Sequence, residues 1–398
     1  LILTVAIIFL LAAVASSAGL LILQIGLWRV FAVAPQLKGQ AADSALPDTS
    51  LTVVVPAYNE ELNIAACLQS VLDSTPPCTD WSVLVVDDAS TDATAEIAHQ
   101  TALDHSEICS VLQSGPRPQG ERWVGKNWAC CRAMEQVTSK WVLFIDADVR
   151  LRPDALRRAL GQAIEESADL FSLAPRLECG CLAEWMVQPI MASLLGLGFP
   201  IEATNDPNSD VAFAAGPFML FSSEAYAAIG GHKQLAAEVV EDLALARLIK
   251  SGGYRLSYQL GLDAVMLRMY QDLPALWEGW TKNWLIGLDR DVLRAIGASG
   301  VVLQMFTVPW LVLPTALVLL VLLPELGMWW RWSLGLACVA LLQQWLLRWW
   351  NLRRFDLPMR HWWLMGAGGL LVGLIGPVSV WRTLTGRGWT WKGRSLAG

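Results

Sequence analysis

Lys140-Trp-Val-Leu-Phe-Ile-Asp146-Ala-Asp148 is the stretch of sequence that decides the fold. Its apolar, β-branched and aromatic run predicts a short strand buried inside a sheet. The strand ends on two carboxylates one residue apart, and side chains so placed can reach the same ligand. Hard divalent cations prefer such oxygen ligands and share them with phosphates. Asp146 and Asp148 are therefore candidate metal ligands, although a solvated loop explains most Asp-x-Asp pairs that stand alone.

Two earlier apolar runs also end on polar side chains. They are Leu51-Thr-Val-Val-Val-Pro-Ala-Tyr-Asn-Glu60 and Trp81-Ser-Val-Leu-Val-Val-Asp-Asp88. Helical periodicity follows each run, from about Glu60 to Ser74 and from Thr91 to Gln100. This alternation predicts an α/β fold of the doubly wound type, a mostly parallel sheet with helices on both faces. Ligands of such sheets bind at the carboxyl ends of the strands, where these polar groups would meet.

The sequence lacks the glycine-rich loops that hold nucleotide phosphates. Neither Gly-x-Gly-x-x-Gly after a strand nor Gly-x-x-x-x-Gly-Lys-Ser/Thr occurs. A nucleotide bound at the predicted sheet edge would therefore be held by carboxylates and a metal ion.

The composition indicates a membrane protein. Of the 398 residues, 54% are hydrophobic and only 16% are charged, which is too apolar for an ordinary soluble enzyme. A net charge of −7 argues against nucleic acid as a partner. Apolar residues concentrate in the first thirty positions and beyond residue 300, and the 21 tryptophans suit membrane interfaces. The eight cysteines form no metal-binding pattern and are interpreted as reduced thiols.

These features predict four regions. Residues 1–35 form a transmembrane anchor, because the uncharged stretch is too long for a signal peptide. A linker at 36–49 leads to a globular domain at 50–290, which includes an interfacial helix at about 182–200. Residues 291–398 form a membrane region of about three helices, at about 301–323, 332–347 and 362–381. Arg29 and Lys38 place the domain on the cytoplasmic side by the positive-inside tendency.

Three motifs together resemble family 2 glycosyltransferases. Pro56-Ala-Tyr-Asn-Glu60, Asp87-Asp88-Ala-Ser-Thr-Asp92 and Asp146-Ala-Asp148 occur in the order and spacing of that family. The resemblance covers roughly residues 50–285. It implies a nucleotide-sugar-binding fold, transfer with inversion at the anomeric carbon, a UDP-sugar or similar donor, and a divalent cation, Mg2+ or Mn2+.

The resemblance also implies roles for individual residues. Asp148 would ligate the metal, and Asp146 would lie near the ribose, the diphosphate and the metal. Lys126 matches a Gly-Lys segment near the nucleotide, with an ordinary surface lysine as the alternative interpretation. The other residues expected to border the nucleotide-sugar are Pro56, Ala57, Tyr58, Glu60, Asp87 and Asp88.

A transferred sugar also requires a general base, because an acceptor hydroxyl loses its proton as it attacks. Glu238-Val-Val-Glu241-Asp242 resembles the Glu-Asp motif of the family, with Asp242 as the base and Glu241 supporting it. Acidic residues also favour the start of a helix, and Asp242 opens an amphipathic run. Both roles can belong to one residue.

The acceptor and leaving-group side is expected at Gly216, Pro217, Lys282 and Trp284. Gly216 would permit close backbone approach to the sugar. Processive members carry Gln-x-x-Arg-Trp, whereas this chain has Asn283 at the arginine position, so Lys282 would supply the charge. Trp277, Trp280 and Trp284 share a helix face that lies on the bilayer or packs in a core. His232, after two glycines, is expected to be an ordinary loop imidazole.

Trp123-Val-Gly-Lys-Asn-Trp128 resembles a membrane-bound subgroup that includes carotenoid glucosyltransferases and hopanoid-associated glycosyltransferases. That resemblance implies a lipid alcohol or acid as acceptor, first of all a carotenoid, and a bacterial inner membrane as the location. A hopanoid, ceramide-like or diacylglycerol acceptor remains open, as does polysaccharide synthesis. The rival interpretations are a nucleotide-sugar hydrolase or pyrophosphorylase and a membrane scaffold without activity.

Overall fold

The computed structural model describes residues 2–39, 46–386, 390–391 and 394–395. The chain divides into two compact units. The sheet unit comprises 33–178 and 199–269, and the helical unit comprises the described parts of 1–32, 179–198 and 270–397. The predicted domain at 50–290 is thus divided differently. The helix near 182–198 and the chain after 269 belong to the helical unit, because they pack on its other helices.

The predicted linker at 36–49 is described only in part, since residues 40–45 lie outside the described residues. Its first residues belong to the sheet unit. Gln36 forms an isolated parallel bridge with Leu260, and the Leu37 side chain is buried. Arg158 donates to the carbonyls of Leu37 and Lys38 at 3.0 and 2.9 Å. The segment is therefore anchored to the sheet at its start.

The sheet unit is built on one large sheet and one small sheet. The large sheet has the order β3-β2-β1-β4-β8-β6-β9, and the small sheet has the order β5-β10-β7. The strands are β1 (Ser50–Ala57), β2 (Asp80–Asp87), β3 (Cys109–Gln113), β4 (Trp141–Ile145), β5 (Val149–Leu151), β6 (Leu170–Ala174), β7 (Arg176–Leu177), β8 (Phe218–Ser222), β9 (Leu256–Leu260) and β10 (Val265–Leu267).

The predicted strands β1, β2 and β4 are confirmed, and they pair in parallel at the centre of the large sheet. Only β8 runs antiparallel to its neighbours there, β4 and β6. The register places Ala57 beside Asp87 and Val54 beside Phe144. The carboxyl ends of the three strands therefore meet at one edge, as the doubly wound prediction requires.

Helices cover both faces of the large sheet, because its central strands are apolar on both sides. One buried cluster packs α2, α3 and α5 on the sheet, and a second packs α4 and α10 on the opposite face. The helices of this unit are α2 (Ile64–Leu72), α3 (Thr94–Asp104), α4 (Gly125–Met134), α5 (Ala155–Glu165), α7 (Ile201–Asn205), α8 (Ser223–Ala228), α9 (Gly231–Gln234) and α10 (Glu241–Ser251).

The helical unit contains three helical segments long and apolar enough to cross a membrane, among the residues described: Ile2–Ala32, Val292–Leu322 and Trp362–Leu384. The expected segment at 332–347 is part of a longer helix that is not among them. The helices are α1 (Ile2–Ala32), α6 (Leu182–Gly198), α11 (Leu273–Gly287), α12 (Val292–Val302), α13 (Val308–Leu322), α14 (Gly327–Phe355) and α15 (Met365–Leu384), with a π-helical turn at Leu303–Thr307, 3-10 turns at Pro324–Leu326 and Trp362–Leu364, and a strand pair β11 (Thr390–Trp391) and β12 (Arg394–Ser395).

A buried glutamine stabilises the π-helical turn between α12 and α13. Pro309 has no N–H to donate to the Met305 carbonyl in the manner of an α-helix. Gln344 on α14 donates to the carbonyls of Met305 and Phe306, both at 3.0 Å. The side-chain oxygen of Gln344, Oε1, accepts from Trp310 Nε1 at 2.9 Å. The polar Gln344 inside α14 thus satisfies the backbone of a neighbouring helix.

Candidate active site

The carboxyl edge of the large sheet brings the loops after β1 and β2 together. Asn59 and Ala89 adopt left-handed backbone conformations, with φ of 52° and 59°. Asn59 Oδ1 accepts from the Thr91 N–H at 2.8 Å, and the Asn59 N–H donates to Ser90 Oγ at 3.0 Å. The Glu60 N–H donates to Thr94 Oγ1 at 2.7 Å. Hydrogen bonds therefore join the two loops at this edge of the sheet.

Asp88, directly after β2, is held by side chains that follow β3. Its Oδ1 accepts from Ser114 Oγ at 2.8 Å, and its Oδ2 accepts from Arg117 Nη2 at 2.7 Å. Its own N–H donates to the carbonyl of Ala57 at 2.9 Å. Asp87 beside it receives only long hydrogen bonds, from the Ser90 N–H at 3.3 and 3.4 Å.

Lys126 lies between two carboxylates that come from distant parts of the sequence. Its Nζ is 2.6 Å from Asp146 Oδ1 and 2.7 Å from Glu241 Oε1. Burial alone would lower the pKa of Lys126, but Asp146 and then Glu241 raise it well above the usual value. Lys126 is therefore a permanent cation that joins the end of β4 to the start of α10.

The position of Lys126 follows from the residue after it. Asn127 is fully buried, and its Nδ2 donates to the carbonyls of Leu235 at 2.6 Å and Glu238 at 2.8 Å. The Val124 N–H donates to the carbonyl of Ala236 at 2.8 Å. These bonds fasten the first turn of α4 to the segment that leads into α10.

Asp242 lies beside Glu241 and against a glycine. Its Oδ2 accepts from the Gly216 N–H at 3.2 Å, and its Oδ1 accepts from the Leu243 N–H at 2.7 Å. Burial, and then the charge of Glu241, raises the pKa of Asp242 to about 6. A carboxylate with that pKa is ionised at neutral pH and still basic enough to accept a proton.

Asp148 carries a buried acceptor that lacks a partner. Its Oδ1 has no hydrogen-bond partner among the described residues. Burial, followed by the charges of Asp146 and Glu60, raises the pKa of Asp148 well above its usual value. Among the same residues, no group of three or more His, Cys, Asp or Glu is arranged to hold a metal ion. Asp148 and Asp146 therefore fit a divalent cation whose remaining ligands come from elsewhere, such as a diphosphate.

Comparison with known proteins gives a family for part of the chain. Residues 52–230 match the sequence profile described as Glycosyl transferase family 2. This part of the chain is therefore similar to family 2 glycosyltransferases. This match confirms the resemblance drawn from the three motifs, which all fall within the matched residues.

Two curated relatives share the name 4,4'-diaponeurosporenoate glycosyltransferase. They come from Staphylococcus aureus strains USA300 and MRSA252, and each is 30% identical over 241 residues, which is 60% of this chain and 61% of the relative. The chain thus spans 61% of the length of these curated relatives. A solved mannosyltransferase from Pyrobaculum calidifontis, in complex with GDP-Man and Mn2+, is 19% identical, with 93% of this chain and 98% of that chain covered and a TM-score of 0.49.

Within the sheet unit, the structure gathers most of the residues that the sequence singled out. Asp146, Glu241 and Lys126 are in direct contact, and Asp242 adjoins them. Ala57 and Asp87 end adjacent strands, and Pro56, Tyr58 and Glu60 lie on the same strand end and its loop. Gly216 contacts Asp242, and its close approach to the sugar stays a prediction. A Cβ on Gly216 would lie only 2.9 Å from Asp242 Oδ2, and Pro217 follows before β8.

Two residues expected on the acceptor side, Lys282 and Trp284, lie on α11 in the helical unit. Trp284 is buried, and its Nε1 donates to the carbonyl of Ala295 at 3.1 Å. Trp280 is also buried and donates to Gln188 Oε1 at 2.9 Å. For these two tryptophans core packing, rather than a face on the bilayer, is what the structure shows.

His232 is not on a loop, contrary to expectation, and its side chain is buried. It lies on α9, is 2% exposed, and its Nδ1 is 2.6 Å from Tyr226 Oη. Burial lowers the pKa of His232 to about 3, so the imidazole is neutral. His232 is a packing residue beneath the site.

Sequence reasoning missed Arg117, Ser114 and Asn127. Arg117 lies in Gly-Pro-Arg-Pro118 directly after β3, and a cation in a proline-rich turn at the carboxyl edge was the available signal. Asn127 stands inside the quoted tryptophan motif, but its buried bonds to residues 235–238 depend on the tertiary fold.

Proposed function

We propose that the chain is an inverting, metal-dependent glycosyltransferase. It moves a hexose, first of all glucose, from a nucleotide-sugar such as a UDP-sugar to a carotenoid-type membrane lipid. The observation that carries this proposal is the contact of Lys126 with both Asp146 and Glu241. One side chain thereby links the strand end that would face the donor to the acid pair that would face the acceptor.

On the donor side, Asp148 and Asp146 would hold Mg2+ or Mn2+. Bound there, the cation would offset the charge of the departing nucleoside diphosphate. Lys126 orients Asp146 and adds a fixed positive charge beside it. Asp87 and Asp88 would border the nucleoside, and Asp88 is kept in place by Ser114 and Arg117. Preorganised charges of this kind lower the barrier without rearrangement during the reaction.

On the acceptor side, Asp242 would accept the proton of the attacking hydroxyl. The hydroxyl oxygen bonds to the anomeric carbon while the bond from that carbon to the diphosphate oxygen breaks. A single in-line displacement inverts the configuration, so no covalent sugar–enzyme intermediate is required. The contacts of Asp242 with the Gly216 and Leu243 N–H groups hold its carboxylate in one orientation.

A second candidate acceptor is a lipid carboxylic acid. The Staphylococcus aureus relatives are named for a carboxylate, diaponeurosporenoate. Such an acid is already ionised at neutral pH, so its transfer would need no proton acceptor and would give a sugar ester. The raised pKa of Asp242 favours the hydroxyl acceptor, since only that acceptor needs a base near neutrality.

The helical unit supports a membrane location. Its three candidate spans suit an integral membrane protein, and the named relatives are bacterial. We place the glycosyltransferase domain on the cytoplasmic side of a bacterial cell membrane, where Arg29 and Lys38 follow the first span.

The test is mass spectrometry of pigments and lipids from a host with and without the gene. A new lipid heavier by one hexose supports transfer, and mild alkali distinguishes an ester, which is cleaved, from a glycoside, which survives. Release of sugar or sugar phosphate from the donor without any lipid, and no hexosylated lipid in the host, would favour a nucleotide-sugar hydrolase instead.

A further inference from the structure

Arg348, on α14 of the helical unit, is a fully buried cation. A guanidinium carries five N–H donors. Only Nη2 of Arg348 is bonded, to the carbonyls of Pro358 at 2.9 Å and Arg360 at 3.1 Å. Nε and Nη1 are buried and have no hydrogen-bond partner in the described part of the chain. The three N–H donors on these two nitrogens are therefore left without an acceptor.

Within the described ranges, no carboxylate forms an ion pair with Arg348. Its guanidinium instead lies over the ring of Trp185 on α6, 5.7 Å from the centroid. Buried charges in proteins are normally paired, because an unpaired charge in an apolar interior is strongly unfavourable. This environment is suited to receive an anion.

A short surface segment covers the guanidinium. Residues 356–361, here called the strap, connect α14 to the turn at Trp362–Leu364 and supply both carbonyls that Arg348 bonds. Asp356 and His361, at its two ends, have φ of 53° and 62°. Residues with a Cβ adopt this left-handed region only at a steric cost. The strap is thus held in an unfavourable conformation in which peptide carbonyls occupy part of the coordination of the cation.

Apolar side chains surround this end of α14. Trp345, Leu346 and Trp349 are 37%, 40% and 43% exposed, and Trp363 beyond the strap is 55% exposed. Indole rings at such positions are typical of a membrane interface. An anion that reaches Arg348 from this surface would carry a hydrocarbon chain.

We propose that Arg348 is the anion-binding residue of a site for the head group of a long-chain amphiphile. The head group is a carboxylate or a phosphate, whose oxygens accept from the unbonded Nε and Nη1 donors when the strap moves aside. Charge-assisted hydrogen bonds of this kind favour arginine over other cations. Binding to this site is expected to require neither a nucleotide-sugar nor turnover.

The experiment uses the full chain in a neutral detergent and two matched lipid pairs. Oleate is compared with oleyl alcohol, and dioleoylphosphatidate with dioleoylglycerol, by isothermal titration and by the shift in unfolding temperature. We expect saturable one-to-one binding of the anionic member of at least one pair and none of its neutral partner. Arg348→Gln should weaken that binding about tenfold to a hundredfold, as expected for the loss of charge-assisted hydrogen bonds. Arg353→Gln is the control, because Arg353 is an exposed arginine near the same helix end.

The outcomes separate the sources of the anion. Binding of oleate alone supports a carboxylate ligand, binding of phosphatidate alone supports a phosphate ligand, and binding of both supports the shared chemistry. Equal binding of the neutral lipids, no binding at all, or an equal loss in Arg353→Gln overturns the proposal. If Arg348→Gln does not fold, a photoreactive oleate or phosphatidate is crosslinked to the natural chain. Labelling of Trp185 or the strap supports the site, and labelling only elsewhere overturns it.

Discussion

Lys126 and Glu241 form an ion pair in which Nζ lies 2.7 Å from Oε1. The same nitrogen lies 2.6 Å from Asp146 Oδ1, so the lysine is shared by two acids. Asn127 fixes this arrangement by its hydrogen bonds to the carbonyls of Leu235 and Glu238. Lys126 is therefore the cation that both acids share, and substitutions at the lysine and at the acids can test the role of each.

Lys126→Met should lower kcat by about a hundredfold. The substitution leaves Asp146 and Glu241 without their shared cation, and a hundredfold loss of rate corresponds to about 2.7 kcal/mol of lost transition-state stabilisation. The rate is measured as sugar transfer to lipid in membranes or detergent. Lys140→Met, at an exposed lysine of the same domain, should leave the rate unchanged. A Lys126→Met rate within twofold of the natural chain would contradict the bridging role.

Asp148→Ala should abolish metal-dependent turnover. The variant should also lose the gain in stability that the metal gives the natural chain. The variant loses a buried carboxylate oxygen that has no partner, so its unfolding temperature without metal should equal or exceed that of the natural chain. With Mg2+ or Mn2+ at about 100 times the dissociation constant, binding stabilises the natural chain by about 2.7 kcal/mol, and Asp148→Ala should lose that gain.

Calorimetry with and without the metal tests this pattern. Asp104→Ala, at an exposed acid of α3, serves as the control. An undiminished metal-dependent shift in Asp148→Ala would remove Asp148 from the proposed ligands.

Gly216→Ala should lower kcat about tenfold while donor affinity stays within twofold. The added methyl would lie 2.9 Å from Asp242 Oδ2 and would displace the carboxylate, and small misplacements of a reacting group are costly. Gly39→Ala is a suitable control, because nothing lies within 4 Å of its added carbon. Steady-state kinetics decide the matter, and unchanged kcat in Gly216→Ala would mean that the contact has no catalytic consequence.

The pH profile of kcat should follow the ionisation of Asp242. Burial and Glu241 raise the pKa of Asp242 to about 6, and the base acts only when ionised. Activity should therefore be constant above about pH 6 and fall about tenfold for each pH unit below it. Glu241→Gln removes a negative neighbour of Asp242 and should therefore move the fall in activity to lower pH. A fall in activity that moves to higher pH in Glu241→Gln, or a flat profile down to pH 5 in the natural chain, would exclude Asp242 as the titrating group.

The sequence was sufficient for the centre of the sheet. β1, β2 and β4 are uninterrupted apolar runs, and their carboxylate ends coincide because parallel strands in register present the same edge. It was not sufficient for β8, whose antiparallel insertion between β4 and β6 leaves no local signal.

Long-range contacts explain the other differences. The Lys126–Glu241 pair depends on buried bonds from Asn127 to a distant loop, which periodicity cannot reveal. Trp280 and Trp284 have the spacing of a membrane face, yet their indole N–H groups are bonded to Gln188 and Ala295 inside the helical unit. In each case the local pattern was correct and the partner was decided by the tertiary fold.

The most direct measurement is a comparison of Asp242→Asn with the natural chain, in donor binding and in transfer to a hydroxyl-bearing carotenoid. The substitution keeps the shape of the side chain and removes the proton acceptor, whose contribution to such reactions is about a hundredfold to ten-thousandfold. The account predicts nucleotide-sugar affinity within twofold and transfer reduced by at least a hundredfold, with Glu224→Gln, at an exposed acid of the same unit, unaffected in both. Near-normal transfer by Asp242→Asn to a hydroxyl acceptor would contradict it.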